Sequence, residues 1–430
     1  MSAIDLILRY GRQGVPPTFQ RDFAGVKTLD HGTGPAITFT RASNATFFDA
    51  NGALQTAAND TPRFDHDPAT GASRGLLIEE SRTNSIRNSQ ADGATVGVIG
   101  SGGVVPTNWI MSTPDGIARE VVATGTINGM NYVDLRWNGT RSGGSIGSIQ
   151  LVPDALAQIV ASSGQTWTGN MRIAVVAGSL VGTTNPILSI QERTSGGTFL
   201  LGTSTSYTAS SNLNQITATR TLTDATTARV STAFAATVAN GSTVDITLRI
   251  AAPQLEQGAF PTSYIPTTTA AATRAADVAT VSPVSSFYSP TESTMVAEFE
   301  VRGALPSARY VQFDDETNSN RIVLGLTSGG SVQNFTTVEG STSLSSSIAD
   351  TLVADTIYKI GAAFSANDAI SARNGTVAGP DPTGSVPSGI VRLSLSGQPP
   401  TASTRQGLWL RKFAYWPRRL SNTLLEQLTT

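Results

Sequence analysis

The sequence predicts an all-β protein: two antiparallel β-sandwich (jelly-roll) domains, preceded by a small β-rich N-terminal region and closed by a short C-terminal helix. Three observations carry this expectation. Charged residues are only 14% of the 430-residue chain, and Lys, Glu and Leu are too scarce for a helical protein. Glycine (41) and proline (21) recur at short intervals, as turns between strands require. Stretch after stretch alternates apolar and polar side chains with period two, the pattern of half-buried strands. A chain of this length exceeds one ordinary core, so two or three domains of roughly 100–200 residues are expected.

Residues 1–88 read as an N-terminal attachment region. Ile4, Leu6, Leu8 and Tyr10 alternate with Asp5 and Arg9 before the stiff Val15-Pro16-Pro17. A peptide this short cannot bury itself, so it either adds to a partner or forms the first strand of its own domain. Between 37 and 84, short strands are separated by the turn signals Asp49-Ala50-Asn51-Gly52 and Asp67-Pro68-Ala69-Thr70-Gly71. Asp65, His66 and Asp67 resemble a metal cluster, yet acidic residues in such turns ordinarily cap backbone N–H groups. Residues 89–268 read as the first sandwich. Trp167, Gly169, Met171, Ile173 and Val175 share one face of a ladder, and Val133, Leu135 and Trp137 share another, opposite Tyr132, Asp134 and Arg136. Val244, Ile246, Leu248 and Ile250 alternate with Asp245, Thr247 and Arg249. Residues 269–284, rich in Thr and Ala without an apolar period, read as an extended linker. Residues 285–430 read as the second sandwich. In it Asn374-Gly375 predicts a two-residue hairpin turn, and Ser421 is expected to N-cap a helix running to Leu428.

Two blocks of text are unusually specific. The first comprises Ile37-Thr38-Phe39-Thr40-Arg41-Ala42-Ser43-Asn44-Ala45-Thr46, Pro62-Arg63-Phe64-Asp65-His66-Asp67-Pro68 and Gly75-Leu76-Leu77-Ile78-Glu79-Glu80-Ser81-Arg82-Thr83-Asn84. The second is Gln254-Leu255-Glu256-Gln257-Gly258-Ala259-Phe260-Pro261-Thr262-Ser263-Tyr264-Ile265-Pro266-Thr267. In this order and separation they resemble the fibre and head-spike proteins of tailed bacteriophages and phage-like gene transfer agents, over residues 30–430 in outline. The region 89–268 resembles the carbohydrate-binding-module-like sandwiches of phage fibres. The ending Leu408 to Ser421 resembles the last strand and terminal helix of laminin-G or concanavalin-A-like domains, although Leu424 stands where that family carries the Glu of a capping box. The resemblance implies a protein of the virion surface, made in the host cytoplasm and released by lysis, with other virion proteins contacted through the N-terminal region. It leaves head spike and tail fibre open; the absence of a heptad or solenoid period favours the spike.

Composition narrows the partners. With 29 basic and 31 acidic residues, a net charge of −2 and no basic block, the chain has no electrostatic footprint for nucleic acid. No apolar run is long enough for membrane insertion. The lack of cysteine excludes a disulfide framework, a thiolate nucleophile and Cys-ligated zinc.

Glycan recognition needs an aromatic face for the C–H surface of a sugar and polar groups for its hydroxyls. The candidates are Trp109, Tyr132, Asp134 and Arg136 in the first sandwich and Trp409 and Tyr415, with Trp416 beside them, in the second. For each aromatic the competing reading is burial in the core or against a neighbouring subunit; Trp137 and Trp167, which share faces with aliphatic residues, read as core. Asp314, Asp315 and Glu316 form an oxygen-rich loop that either holds Ca2+ or is a solvated turn; no other cofactor is suggested. No catalytic motif is present, and the paired acids Glu79-Glu80 and Asp314-Asp315 point to opposite faces of any strand. The expected function is therefore non-catalytic attachment to host cell-surface capsular or envelope polysaccharide. Weak single sites would be multiplied by copy number in a homotrimer first and a pentamer second. The rivals are a capsule depolymerase, a structural connector of the virion and, more distantly, a secreted adhesin.

Overall fold

Among the described residues the alternating stretches are strands, but the partners of many strands lie far away in sequence. The computed structural model describes residues 16–303, 308–326, 331–338, 341–395 and 407–430. The predicted strand between Ile4 and Tyr10 lies outside them. The chain forms two compact units, one of Arg82–Arg274, the other of the residues up to Ser81 together with Ala275–Thr430. Both are antiparallel β-sandwiches, and Asn422–Thr429 is a short helix at the C-terminal end, as the sequence predicts.

In the Arg82–Arg274 unit one sheet has the strand order Asn214–Thr221, Thr166–Ser179, Thr243–Gln257, Met130–Gly143, Asp115–Ile127 and Gly97–Val98. The facing sheet runs Phe199–Ser206, Thr183–Arg193, Arg229–Val238, Ser148–Val152 and Ile110–Ser112, with Ile159–Val160 on its third strand. Val133, Leu135, Trp137, Ile246, Leu248, Ile250 and Ile173 from the first sheet meet Ile149, Leu151, Leu188, Ile190 and Phe234 from the second in one core. Trp137 and Trp167 lie in it as expected, their indole N–H groups donating to Ser112 O and Gln165 Oε1 at 3.1 Å each. The unit is closed by its own ends, since Arg82–Asn84 pairs antiparallel with Ala272–Arg274.

The other unit corrects the expected domain plan. The described residues of the expected region 1–88 do not stand apart: Phe19–Asp22 and Ser73–Ile78 both pair with Leu408–Trp416, and Arg63–His66 pairs with Ser73–Ile78. Nor is 269–284 a linker: Val278–Val281 lies between Thr38–Thr40 and Arg392–Leu395 in the second sheet of the unit, and Ala272–Arg274 belongs to the closing pair. Strands of three to six residues carry too little periodicity to disclose partners some 340 positions away, so local reading split one sandwich into pieces.

The first signature block explains itself here. Arg41, Arg63, Glu79 and Asp277 have fully buried side chains; Asp277 pairs with Arg41 at 3.0 Å and Arg63 at 2.5 Å, while Arg63 reaches Glu79 at 2.9 Å. The backbone N–H of Glu79 also donates to Asp277 at 2.8 Å. Asp277 is the most sensitive member of this network, because removing it takes from the buried Arg41 and Arg63 the carboxylate they share, at a cost of about 3–5 kcal/mol. It fixes the short early strands to the segment that follows the inserted sandwich. Asp65 accepts from Phe48 N and from Trp409 Nε1, and Asp67 accepts from the N–H groups of Ala69 and Thr70, so these acids cap donors rather than gather round a metal.

Candidate functional site

Tyr132, Asp134 and Arg136 project from Met130–Gly143 on the side away from the core, because Val133, Leu135 and Trp137 take the inner side of the same strand. Cross-strand register then decides their neighbours. Asp134 lies opposite Arg249, and Arg136 opposite Glu120 on one side and Thr247 on the other. The Asp134 carboxylate receives both prongs of the Arg249 guanidinium at 2.9 Å, and that guanidinium sits over the Tyr132 ring, 3.8 Å from its centroid. Arg136 makes a second two-pronged pair with Asp245 at 2.9 and 3.1 Å and approaches Glu120 at 3.6 Å. Its hydrogen bonds, with its charge adding less, hold the Asp245 carboxyl below its ordinary value. Planar guanidinium–carboxylate forks of this kind fix both partners and leave their outer lone pairs and N–H groups directed outward.

Two β-bulges flank the row. One falls between Val121 and Ala123, the other between Val175 and Ala177, and the extra residues, Val122 and Val176, are 38% and 40% exposed. A bulge turns a side chain out of the regular pleat, so an apolar contact stands on either side of the ion pairs. Gly125, opposite Tyr132, lets the ring lie down on the sheet, since a Cβ there would come within 2.8 Å of the phenol oxygen. The result is a polar platform with one partly exposed ring, bordered by valines.

The second signature block begins on the Thr243–Gln257 strand of the same sheet. Gln254 Oε1 accepts from Ile265 N at 2.7 Å, and Glu256 accepts from Thr262 N at 2.9 Å and its hydroxyl at 2.5 Å. Glu256 is fully buried and burial raises its pKa, against the hydrogen bonds of Thr262. These residues hold the segment after the strand in place; they are buried braces, as in the first block.

The remaining candidates are placed otherwise. Trp109, Trp409 and Tyr415 are 5%, 3% and 1% exposed, so none offers a face to a sugar. Trp109 Nε1 donates to Asn88 O at 2.8 Å, and the Tyr415 phenol is held by Ser289 N and Ser293; Tyr415 is pushed up to about 12 by burial. Trp409 is flanked by the guanidinium groups of Arg74 and Arg302, each 4.3 Å from its ring. Trp416 is buried against the terminal helix. Asp314 is buried and paired with Arg392 at 2.9 Å, and it accepts from Gln312 and from Glu316 N. Asp315 is engaged by Thr317 and Asn320, and Glu316 points outward with a 58% exposed side chain. The loop is an acidic turn in which protein donors occupy Asp314 and Asp315. Among the described residues no group of three or more histidine and carboxylate side chains is placed to hold a metal ion.

Sequence reasoning thus found three of the platform residues and missed Arg249, Asp245, Glu120, Gly125, Val122 and Val176. The alternation around Arg249 and Asp245 was visible, but only register shows that they meet Asp134 and Arg136.

No protein-family model matches the sequence, and no curated protein matches it significantly. Solved structures with some likeness include the CBM40 of the Ruminococcus gnavus IT-sialidase bound to alpha2,3 sialyllactose, at 14% identity over 33% of this chain and 83% of that one, TM-score 0.28. Others are the CBM22-1–CBM22-2 tandem of Paenibacillus barcinonensis Xyn10C (7% identity, 79% and 98%, TM-score 0.25) and domains LG4-5 of the mouse laminin alpha1 chain (11%, 66% and 95%, TM-score 0.21).

Proposed function

We propose that this protein is a non-catalytic glycan-binding component of a phage-like particle, a surface spike or fibre that attaches the particle to host capsular or envelope polysaccharide. The observation that carries glycan binding is the Tyr132 platform. A sugar ring presents a C–H face and a rim of hydroxyls. The exposed valines and the tyrosine ring suit the first, and the outward edges of the two Arg–carboxylate forks suit the second. Attachment rather than hydrolysis is favoured by the state of the acids. Glycoside hydrolysis needs one carboxyl poised to give a proton, whereas Asp134 and Asp245 are each held by a guanidinium. The particle-surface part of the reading is supported by the two signature blocks and their resemblance. Contacts to other virion proteins through the N-terminal region belong to the same proposal. So does a homotrimer, or next a pentamer, which multiplies a weak site without new contacts.

The test uses the full chain and purified host polysaccharide. Retention on the polymer without release of reducing ends is expected, and Tyr132→Ala should weaken it about tenfold, the scale of a lost ring contact, with the melting temperature unchanged. Release of reducing ends would replace attachment by depolymerisation.

A further inference from the structure

We propose that the Tyr132 platform takes uncharged, hydroxyl-rich glycans and discriminates against acidic ones; this rests on the glycan-binding reading and adds its ligand class. The argument is electrostatic. Three carboxylates, Glu120, Asp134 and Asp245, share the platform with two guanidiniums, Arg136 and Arg249, both engaged by carboxylates at 2.9 to 3.6 Å; a third guanidinium, the half-buried Arg172, stands across Ala251 from Tyr132 and donates to Leu213 O at 3.4 Å. The two most open charged side chains besides Arg136 are acidic, Asp245 at 51% and Glu120 at 33% exposed, while Arg249 is covered to 22% and Asp134 to 7%. An arriving uronate, sialate or sulfate therefore meets negative charge first. To gain a guanidinium it must displace an internal carboxylate that is already bonded through two N–H groups. A neutral sugar displaces nothing, because its hydroxyls donate to the outward carboxylate lone pairs and accept from the remaining N–H groups.

The extent of the platform fits a chain rather than one ring. Val122 and Val176 stand on strands separated by the two central ones, about 14 Å at ordinary strand spacing, with the ion pairs and Tyr132 between them. The exposed hydroxyl pairs Thr140–Thr243 and Thr166–Thr221, at 2.8 and 2.9 Å, continue the uncharged polar surface along the same sheet.

The experiment measures the full-length protein on immobilised neutral polymers (a glucan, a mannan, a galactan) and on acidic ones (polygalacturonate, polysialate, a sulfated galactan), at low and at high salt. Binding to at least one neutral polymer, insensitive to salt, with weaker retention on every acidic polymer is expected. The double variant Glu120→Gln, Asp245→Asn removes the platform's two most open negative charges, leaves it net positive and should raise the acidic-to-neutral affinity ratio about five- to tenfold. Tighter binding to an acidic polymer with steep loss in salt overturns the ligand class and leaves glycan binding standing. Silence on the whole panel overturns glycan binding itself, and the ligand class with it.

Discussion

At the scale of single residues the acids of this protein divide into those that hold loops and those that face solvent, and Glu192 is the clearest of the first kind. Its side chain is fully buried in the inserted sandwich; it accepts from Thr227 at 2.5 Å, from Thr223 N at 3.0 Å, from Asp224 N at 2.9 Å and from Arg220 at 2.7 Å. Burial pushes its carboxyl up, but these donors together outweigh burial and hold it down to about 2, from an ordinary 4.5. A folded value below the unfolded one means that the carboxylate stabilises the fold above about pH 4.5 and that this contribution is lost as pH falls toward 2. The amount is on the order of 3 kcal/mol. Glu192→Gln should lower stability by a similar amount at neutral pH and flatten that part of the acid limb, read by urea unfolding at stepped pH; an unchanged acid limb would contradict the assignment. Gly125 supports the second kind of residue. With alanine there, the added methyl meets the Tyr132 ring at 2.8–3.0 Å, and the ring must leave its present seat under Arg249. Glycan affinity should drop about three- to tenfold while thermal stability stays within a degree or two, whereas equal affinity would show that the ring's pose is irrelevant.

Among the elements, the terminal helix shows how local rules and packing compete. Ser421 caps it as the sequence predicts, its hydroxyl accepting from Leu424 N at 3.3 Å. Leu424 occupies the capping-box position, and the structure gives the reason: with Leu425 and Leu428 it is buried on Val296, Ala363, Ile370 and Ala414 of the sheet beneath. Leu424→Glu restores the local motif yet should destabilise the protein by about 2–4 kcal/mol, since burying a carboxylate and losing leucine packing outweigh one capping bond. A rise in the denaturant midpoint would reverse that ranking. The same contrast explains what could be read from the sequence. Asn374 and Gly375 have φ of 44° and 77°, so the hairpin turn was legible because its chemistry is local. Faces were legible for the same reason: Val133, Leu135 and Trp137 inward and Tyr132, Asp134 and Arg136 outward follow from period two alone. Register was not, and with it went the partners: Arg249 for Asp134, Asp65 for Trp409, Arg392 for Asp314. The aromatic candidates failed where an indole N–H found a buried acceptor or a phenol a buried hydrogen-bond partner, which composition cannot disclose.

On the scale of the whole molecule, the chain is one sandwich inserted into another. Residues 37–81 and 275–281 are sequence neighbours of the insert but belong to the host fold, joined there by Asp277 to Arg41 and Arg63. The signature blocks are thus the two lips of the insertion, and their specificity reflects a buried ion network and a braced exit rather than ligand contact. Such a plan predicts that the two sandwiches separate. Arg82 and Arg274 are paired across antiparallel strands, so the ends of the insert lie about 4.5–5.5 Å apart at their Cα atoms, and a short glycine linker can replace it. Residues 82–274 expressed alone should unfold in a single cooperative transition and retain glycan affinity within about twofold of one full-length site, because Tyr132, Arg249 and their partners all lie inside it. The remainder, with Ser81 joined to Ala275 through two or three glycines, should keep its own transition and the buried network while losing glycan binding. Calorimetry and glycan titration on the two halves decide the matter. Binding that stays with the remainder would move the site out of the inserted sandwich, and an insert that fails to fold alone would show that closure by its paired ends is insufficient.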